Sequence, residues 1–320
     1  MNKQSNLFQE VSIDIIKKIF KNALKETLIW EAKLLDGGMF NTNYYVEYGA
    51  LHKKAVLRLG PINRHLITGF EQNLMNAETY VYSICKNIGI PCSTVLSCDT
   101  SKSIIDRDFM IVEFIESVVM LKAQLTQQQR NKLYFEIGQY LSKLHQVSAN
   151  SFGFVSRICD GKTFNKWSEA LIYELNDISN RLLELKGLNI EQYNRLLSKF
   201  YESKELLDQI TQPHLLHTDL WEGNVLLDKE TLEIVAIIDS DRAVFGDCDF
   251  EFASPWMEHE ALTEGYGSAM QKPFTNDRVK RRHLYQIFFS LLDAYVGYAE
   301  YNNLELYENS KRNLINLVNK

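Results

Sequence analysis

Apolar residues recur along this chain at two spacings, and the chain divides where one gives way to the other. In residues 10–24, Val11, Ile15, Ile16, Ile19, Phe20 and Ala23 share one face of a 3.6-residue period, which predicts an opening amphipathic helix. Two β-rich runs follow, IWEAKLL and NTNYYVEYG, on either side of a hairpin tip at residues 36–41. KKAVLRL at residues 53–59 reads as a third strand, stopped by Gly60 and Pro61, with Lys54, Val56 and Arg58 on one face. Residues 71–87 read as a helix whose stripe is Leu74, Met75, Glu78, Val81, Tyr82 and Cys85. STVLSC and DFMIVEF add two strands around a polar turn.

Beyond Glu113, Phe114 and Ile115 the period is helical almost throughout. Residues 126–147 open on a capping box of Thr126 and Gln129, residues 167–184 and 190–207 make two more helices, and residues 276–298 and 304–318 close the chain. The expected architecture is α+β and bilobal: a five-stranded antiparallel N-terminal lobe over residues 1–115, and a mostly helical lobe over 116–320. Trp167, Tyr173 and Tyr193 read as core or as lining of a substrate cleft, with core the expectation for each, and His145 is expected to be packed or hydrogen-bonded.

Composition narrows the function classes. At 320 residues, 45% hydrophobic and 24% charged, the chain has the make-up of a globular protein with well-filled cores. A net charge of -6 without a long basic stripe argues against a nucleic-acid partner, and the short cluster Lys280, Arg281, Arg282 reads as a solvated helix face. Five cysteines without C-x-x-C spacing suit neither a disulfide framework nor a zinc site. No apolar run approaches membrane-spanning length and no leader pattern opens the sequence, so a cytoplasmic protein without a membrane partner is expected.

Candidate chemistry concentrates in residues 214–249, HLLHTDLWEGNVLLDKETLEIVAIIDSDRAVFGDCD. His217, Asp219 and Asn224 lie on one short segment, and an apolar run ends abruptly at Asp239. Two carboxylates and an amide oxygen at neighbouring strand ends are what a reaction on phosphate requires: an acid to take a hydroxyl proton, and hard oxygen ligands for Mg²⁺. Glu78, inside an apolar stripe, needs a cation, and Arg58 on the preceding strand is the nearest, with Glu71 as the competing partner. Such a pair could hold a guanidinium against the phosphates of ATP or GTP. Gly37 and Gly38 read either as a turn needing positive φ or as a loop whose N–H groups lie over those phosphates. Exposed backbone at Glu113 and Ile115 could meet the nucleotide base.

HTDLWEGN resembles the H-x-D-x-x-x-x-N catalytic loop of the aminoglycoside phosphotransferase and small-molecule kinase family, and IIDSD resembles its metal-binding aspartate. GGMFNTNYYV, VLRLG, IGQYLSKLHQVSANSFGF and FGDCDFEFA extend the likeness over nearly the whole chain. The resemblance implies Asp219 as base or orienter of a hydroxyl, Asn224 and Asp239 as Mg²⁺ ligands, and His217 as a brace of the loop. It further implies a small-molecule hydroxyl acceptor, with a cationic one compatible with the acidic balance. DLW-x-GN resembles fructosamine kinases, and the spacing around FGDCDFEFA resembles hygromycin-type phosphotransferases. Arg58 stands where many relatives have lysine, as in choline-kinase-like members. A nucleotide-binding scaffold without transfer is the competing class; a protein-serine kinase lacks its A-P-E segment here.

Overall fold

The computed structural model describes residues 5–36, 38–267 and 275–320. The first helix, α1 (Ile13–Ala23), buries Ile16, Ile19 and Phe20 against a sheet of β1 (Ile29–Leu34), β2 (Thr42–Tyr48), β3 (Lys53–Leu59), β4 (Val95–Asp99) and β5 (Phe109–Glu113). All pairings in that sheet are antiparallel, and the order is β1-β2-β3-β5-β4. Alternation along β3 puts Ala55, Leu57 and Leu59 into the core shared with α1, so Arg58 points to the other face, toward α2 (Leu74–Asn87).

After β5 the chain enters a second sheet: β6 (Val118–Val119) pairs with β9 (Val225–Leu227), which pairs with β10 (Ile234–Ile237). A third small sheet places β11 (Val244–Gly246) between β7 (Gly153–Phe154) and β8 (His214–Leu216). Around these lie α3 (Gln127–Leu144), α4 (Val155–Cys159), α5 (Trp167–Glu184), α6 (Ile190–Glu202), α7 (Lys204–Leu207), α8 (Cys248–Glu251), α9 (Glu260–Tyr266), α10 (Asn276–Tyr295) and α11 (Leu304–Val318). The capping box predicted for α3 is present, with Gln129 N–H donating to Thr126 Oγ1 at 3.2 Å.

Several expectations change. The helix expected from residue 71 begins at Leu74, because Glu71 belongs to a 3-10 turn, Gly69–Asn73, where it accepts the Thr68 N–H. The run at 190–207 breaks at Ser203 into α6 and α7. The helix expected to reach residue 298 ends at Tyr295 and passes into a π turn, Val296–Glu300, where Gly297 packs so closely on Tyr307 that a Cβ would sit 2.9 Å from its backbone nitrogen. Trp167 is fully buried as expected and Tyr193 is half-buried, but Tyr173 is 39% exposed, its ring covered by Lys162 and Arg157. Arg281 is not solvated: it is buried against Asp247 at 2.9 Å, while Arg278 and Arg282 hold Asp249. Charge clusters on a helix look solvated in sequence when their partners lie elsewhere in the chain.

A short N-terminal segment runs beside both halves. Asn6 N–H and Nδ2 donate to the carbonyls of Glu300 (2.8 Å) and Ala299 (2.9 Å), Ser5 Oγ donates to the Met39 carbonyl (2.8 Å), and Leu7 is fully buried.

Candidate active site

At the end of β8 the chain passes through buried His217 and reverses at Thr218, whose φ of 67° is costly for a β-branched residue. What holds this conformation is Glu251 on α8, a fully buried carboxylate. It accepts the His217 N–H at 2.7 Å and the Thr218 N–H at 2.9 and 3.1 Å. Thr218 Oγ1 also donates to the Arg242 carbonyl at 2.8 Å. Burial lowers the His217 pKa, so the ring is neutral; its Nδ1 accepts the Asp219 N–H at 3.3 Å, and its Nε2 faces the Ile238 carbonyl at 3.2 Å. Asp219 thus projects half-buried from a reversed loop.

Five residues on, Asn224 returns to it. The Asn224 Nδ2 donates to the Asp219 carbonyl at 2.7 Å and to its Oδ2 at 3.1 Å, so the Asn224 amide is spent on Oδ2 and not on Oδ1. β10 delivers Asp239 alongside: the Ile238 N–H donates to the Asn224 carbonyl at 3.0 Å, and Asp239 takes a left-handed φ of 63°.

From the first lobe comes Arg58. Its Nη1 donates to both oxygens of Glu78 at 2.6 Å, and its Nη2 donates to Asp239 Oδ1 at 2.6 Å. Tyr82 OH donates to Glu78 Oε1 at 2.5 Å and accepts the Asp239 N–H at 3.1 Å, so β3, α2 and the end of β10 meet in one network. Burial raises the Glu78 carboxyl, and Arg58 works against that rise. Carboxylate oxygens of Glu78, Asp239 and Asp241 lie within 4.8 Å of one another. Burial, with Asp239 beside it, pushes Asp241 well above the carboxylate range. The Asn224 amide oxygen and the 40% exposed Asp239 carboxylate are a hard-oxygen donor set that suits Mg²⁺.

On the other flank of Asp219 stands Arg242, which donates to Glu71 Oε1 at 2.6 Å. Beside that pair lies Glu300, fully buried, neither of its carboxylate oxygens receiving an N–H or O–H among the described residues. Burial and then Glu71 push the Glu300 carboxyl well above its ordinary value, so it keeps its proton and can offer it to Glu71. Asp293, half-buried at the end of α10, has a pKa raised to about 6 by burial. Burial raises Asp219 to about 7, Arg242 opposes that rise, and Asp239 and Asp293 add to it.

The sequence-derived residues therefore divide. Asp219, Asn224, His217, Asp239, Arg58 and Glu78 come together, and the Glu71 alternative for Arg58 gives way to Glu78. Gly38 sits at the hairpin tip with φ of 71°; Gly37 lies outside the described residues. The Glu113 N–H is spent on the Thr94 carbonyl at 2.9 Å, so it is not free to meet a base, and the Ile115 carbonyl accepts from Ser117 Oγ at 3.0 Å. Sequence reasoning missed Glu251, Arg242 and Asp293. A buried-looking Glu in the helix after FGDCD is the one local signal for Glu251; the other two depend on contacts distant in the chain.

Residues 31–281 match the phosphotransferase enzyme family. A chloroplastic protein-ribulosamine 3-kinase of Arabidopsis thaliana is 27% identical over 171 residues, covering 49% of this chain and 50% of that protein. The acyl-CoA dehydrogenase family member 10 of Mus musculus is 23% identical over 248 residues, covering 73% of this chain and 21% of that protein. The chain thus spans half or less of the length of these relatives. Among solved structures, a putative fructosamine-3-kinase from Thermobifida fusca superposes with a TM-score of 0.66 at 16% identity, over 95% of this chain and 100% of that one. A thermostable mutant of aminoglycoside phosphotransferase APH(4)-Ia, in ternary complex with AMP-PNP and hygromycin B, gives 0.64 at 16%, over 95% and 97%. At such identities the likeness is one of fold. Among the described residues, no helix is long and apolar enough to cross a membrane.

Proposed function

The chain belongs to the phosphotransferase enzyme family, and from that premise we propose that it is a Mg²⁺-dependent kinase moving the γ-phosphoryl group of ATP to a hydroxyl of an amine-bearing sugar. Aminoglycosides and ketosamines share that acceptor chemistry. One observation carries the reading: Asn224 clasps both the backbone and the carboxylate of Asp219 beside Asp239, and Arg58 reaches Asp239 from the other lobe. In this reading Asp219 orients the acceptor hydroxyl and takes its proton, and a pKa of about 7 suits a base working near neutrality. Arg58, steadied by Glu78, lies against the nucleotide phosphates, and Asn224 and Asp239 hold the metal. The chemistry such an ion supplies is neutralisation of charge on phosphate oxygens. Little covalent work is then left, and catalysis rests on positioning.

Two features support an aminated sugar as acceptor. Asp293 is a half-buried carboxylate in the field of Asp219, a pair that an ammonium group would relieve. Trp221, 39% exposed and two residues from Asp219, offers an aromatic face of the kind that sugars cover. The test is a panel of aminoglycosides, ketosamines and choline scored by nucleotide consumption. Turnover with an aminated sugar that disappears in Asp219→Asn supports the reading; turnover that survives Asp219→Asn removes it.

A further inference from the structure

The loop between Asp219 and Asn224 is gripped from outside the cleft as well as from within. It reads Leu220, Trp221, Glu222, Gly223. Leu220 is buried and anchors one end. The Trp221 indole folds back over Gly223 so closely that a Cβ there would lie 2.3 Å from the ring and displace it. The Asn224 N–H donates to the Trp221 carbonyl at 2.9 Å, closing the turn.

Glu222 points the other way, to α3. Its Oε1 accepts from Arg130 Nη1 and from Tyr134 OH, the latter at 2.9 Å, and its side chain is only 14% exposed. Arg130 and Tyr134 are four residues apart and so lie one above the other on the same helix face. The Tyr134 ring is itself fixed, stacked on His259 at a centroid distance of 3.9 Å. Neither Arg130 nor Tyr134 belongs to the cleft network of Asp219, Asn224 and Asp239. A charge-assisted contact with a half-buried carboxylate, made twice, is more than an exposed ion pair contributes.

We propose that Arg130 and Tyr134 are positioning residues for phosphoryl transfer. They act through Glu222 to fix the turn that sets the spacing of Asp219 and Asn224. The inference rests on the role proposed above for those two residues. Because a displacement of about 1 Å in a reacting group lowers rate on the order of 100-fold, the latch affects turnover far more than nucleotide affinity.

The experiment compares Glu222→Ala, Arg130→Met, Tyr134→Phe and the double variant Arg130→Met/Glu222→Ala, with Asp219→Asn as control. Glu222→Ala is expected to lower kcat by roughly 100-fold with KM for ATP within about twofold, and Tyr134→Phe by several-fold. The double variant should fall no further than Glu222→Ala, since both remove the same contact. Acrylamide quenching supplies a readout apart from turnover. In a Trp30→Phe/Trp256→Phe background, Trp167 is fully buried, so the signal follows Trp221 and should become more accessible when the latch is cut. Tyr134→Phe removes only a hydroxyl and keeps the stacked ring, so it tests the idea even where a bolder substitution unfolds the chain. If Asp219→Asn is inactive while Tyr134→Phe and Arg130→Met leave kcat and Trp221 quenching unchanged, the latch is overturned and the site reading stands. If Asp219→Asn turns over at the parent rate, the site reading falls and the latch with it.

Discussion

Two arginine–glutamate pairs flank the loop that carries Asp219, and they are built differently. Arg58 and Glu78 lie 20 residues apart within one lobe; the carboxylate receives Arg58 twice and Tyr82 once. Arg242 and Glu71 are 171 residues apart, and Glu71 shares its surroundings with Glu300, a second acid whose oxygens receive no N–H or O–H among the described residues. The first pair is saturated, so it works as a rigid support for whatever Arg58 touches. The second leaves an acid to be neutralised by its own proton, so its electrostatics depend on pH and on what enters the cleft beside it.

The largest expected effect lies between the two pairs. Asp219→Asn should lower turnover on the order of 1,000-fold while Mg·ATP binding, read by calorimetry, persists. Next is Arg58→Met, which strands Glu78 in the interior. It should cost about 3–5 kcal/mol in denaturant unfolding and weaken nucleotide binding. Arg242→Met leaves Glu71 with Thr68 as donor and Glu300 as a proton source, so its stability loss should stay at about 1–3 kcal/mol. Equal losses from the two substitutions would erase the contrast.

A third measurement asks which arginine sets the base. Because Asp219 is raised to about 7 and must be ionised to accept a proton, kcat/KM should rise as pH increases through that value. Arg242 is the largest charge holding the Asp219 pKa down, so Arg242→Met should move this limb to higher pH, and further than Arg58→Met does. A limb unmoved in that variant would break the assignment. The smallest effect is expected at Glu300. Its carboxyl is raised in the folded chain, so the folded state holds a proton that the unfolded chain releases near 4.5. Stability from this group is therefore complete below that pH and declines as pH rises above it. Glu300→Gln keeps the shape without the titration and should flatten the pH dependence of thermal unfolding; an unchanged slope would mean that another group carries it.

The same contrast explains what could be read from sequence. Glu78 stood out because a carboxylate inside a 3.6-residue apolar stripe must have a partner, and β3 offered Arg58 within reach of it. His217, Asp219 and Asn224 were legible because their spacing is local, and Asp239 because it ends an apolar strand. Arg242, Asp293 and Glu251 meet the loop only after α8, α10 and β11 have packed, and no local period encodes that. The misread cluster at residues 280–282 has the same origin: Arg281 and Arg282 look like a charged surface until Asp247 and Asp249 arrive from another element. Glu71 failed differently, since its Thr68 hydrogen bonds favoured a 3-10 turn over the helix that propensity suggests.

The N-terminal residues have a mechanical consequence. Ser5 holds the hairpin at Met39 while Asn6 holds the π turn at Ala299 and Glu300, so a stitch joins the two halves of the molecule in addition to the covalent crossing after β5. Opening the two halves like a clam would break one of these fastenings, whereas a twist about the line through both would keep them. Fusing a bulky tag at that end should therefore loosen this stitch and alter how the two halves turn against each other.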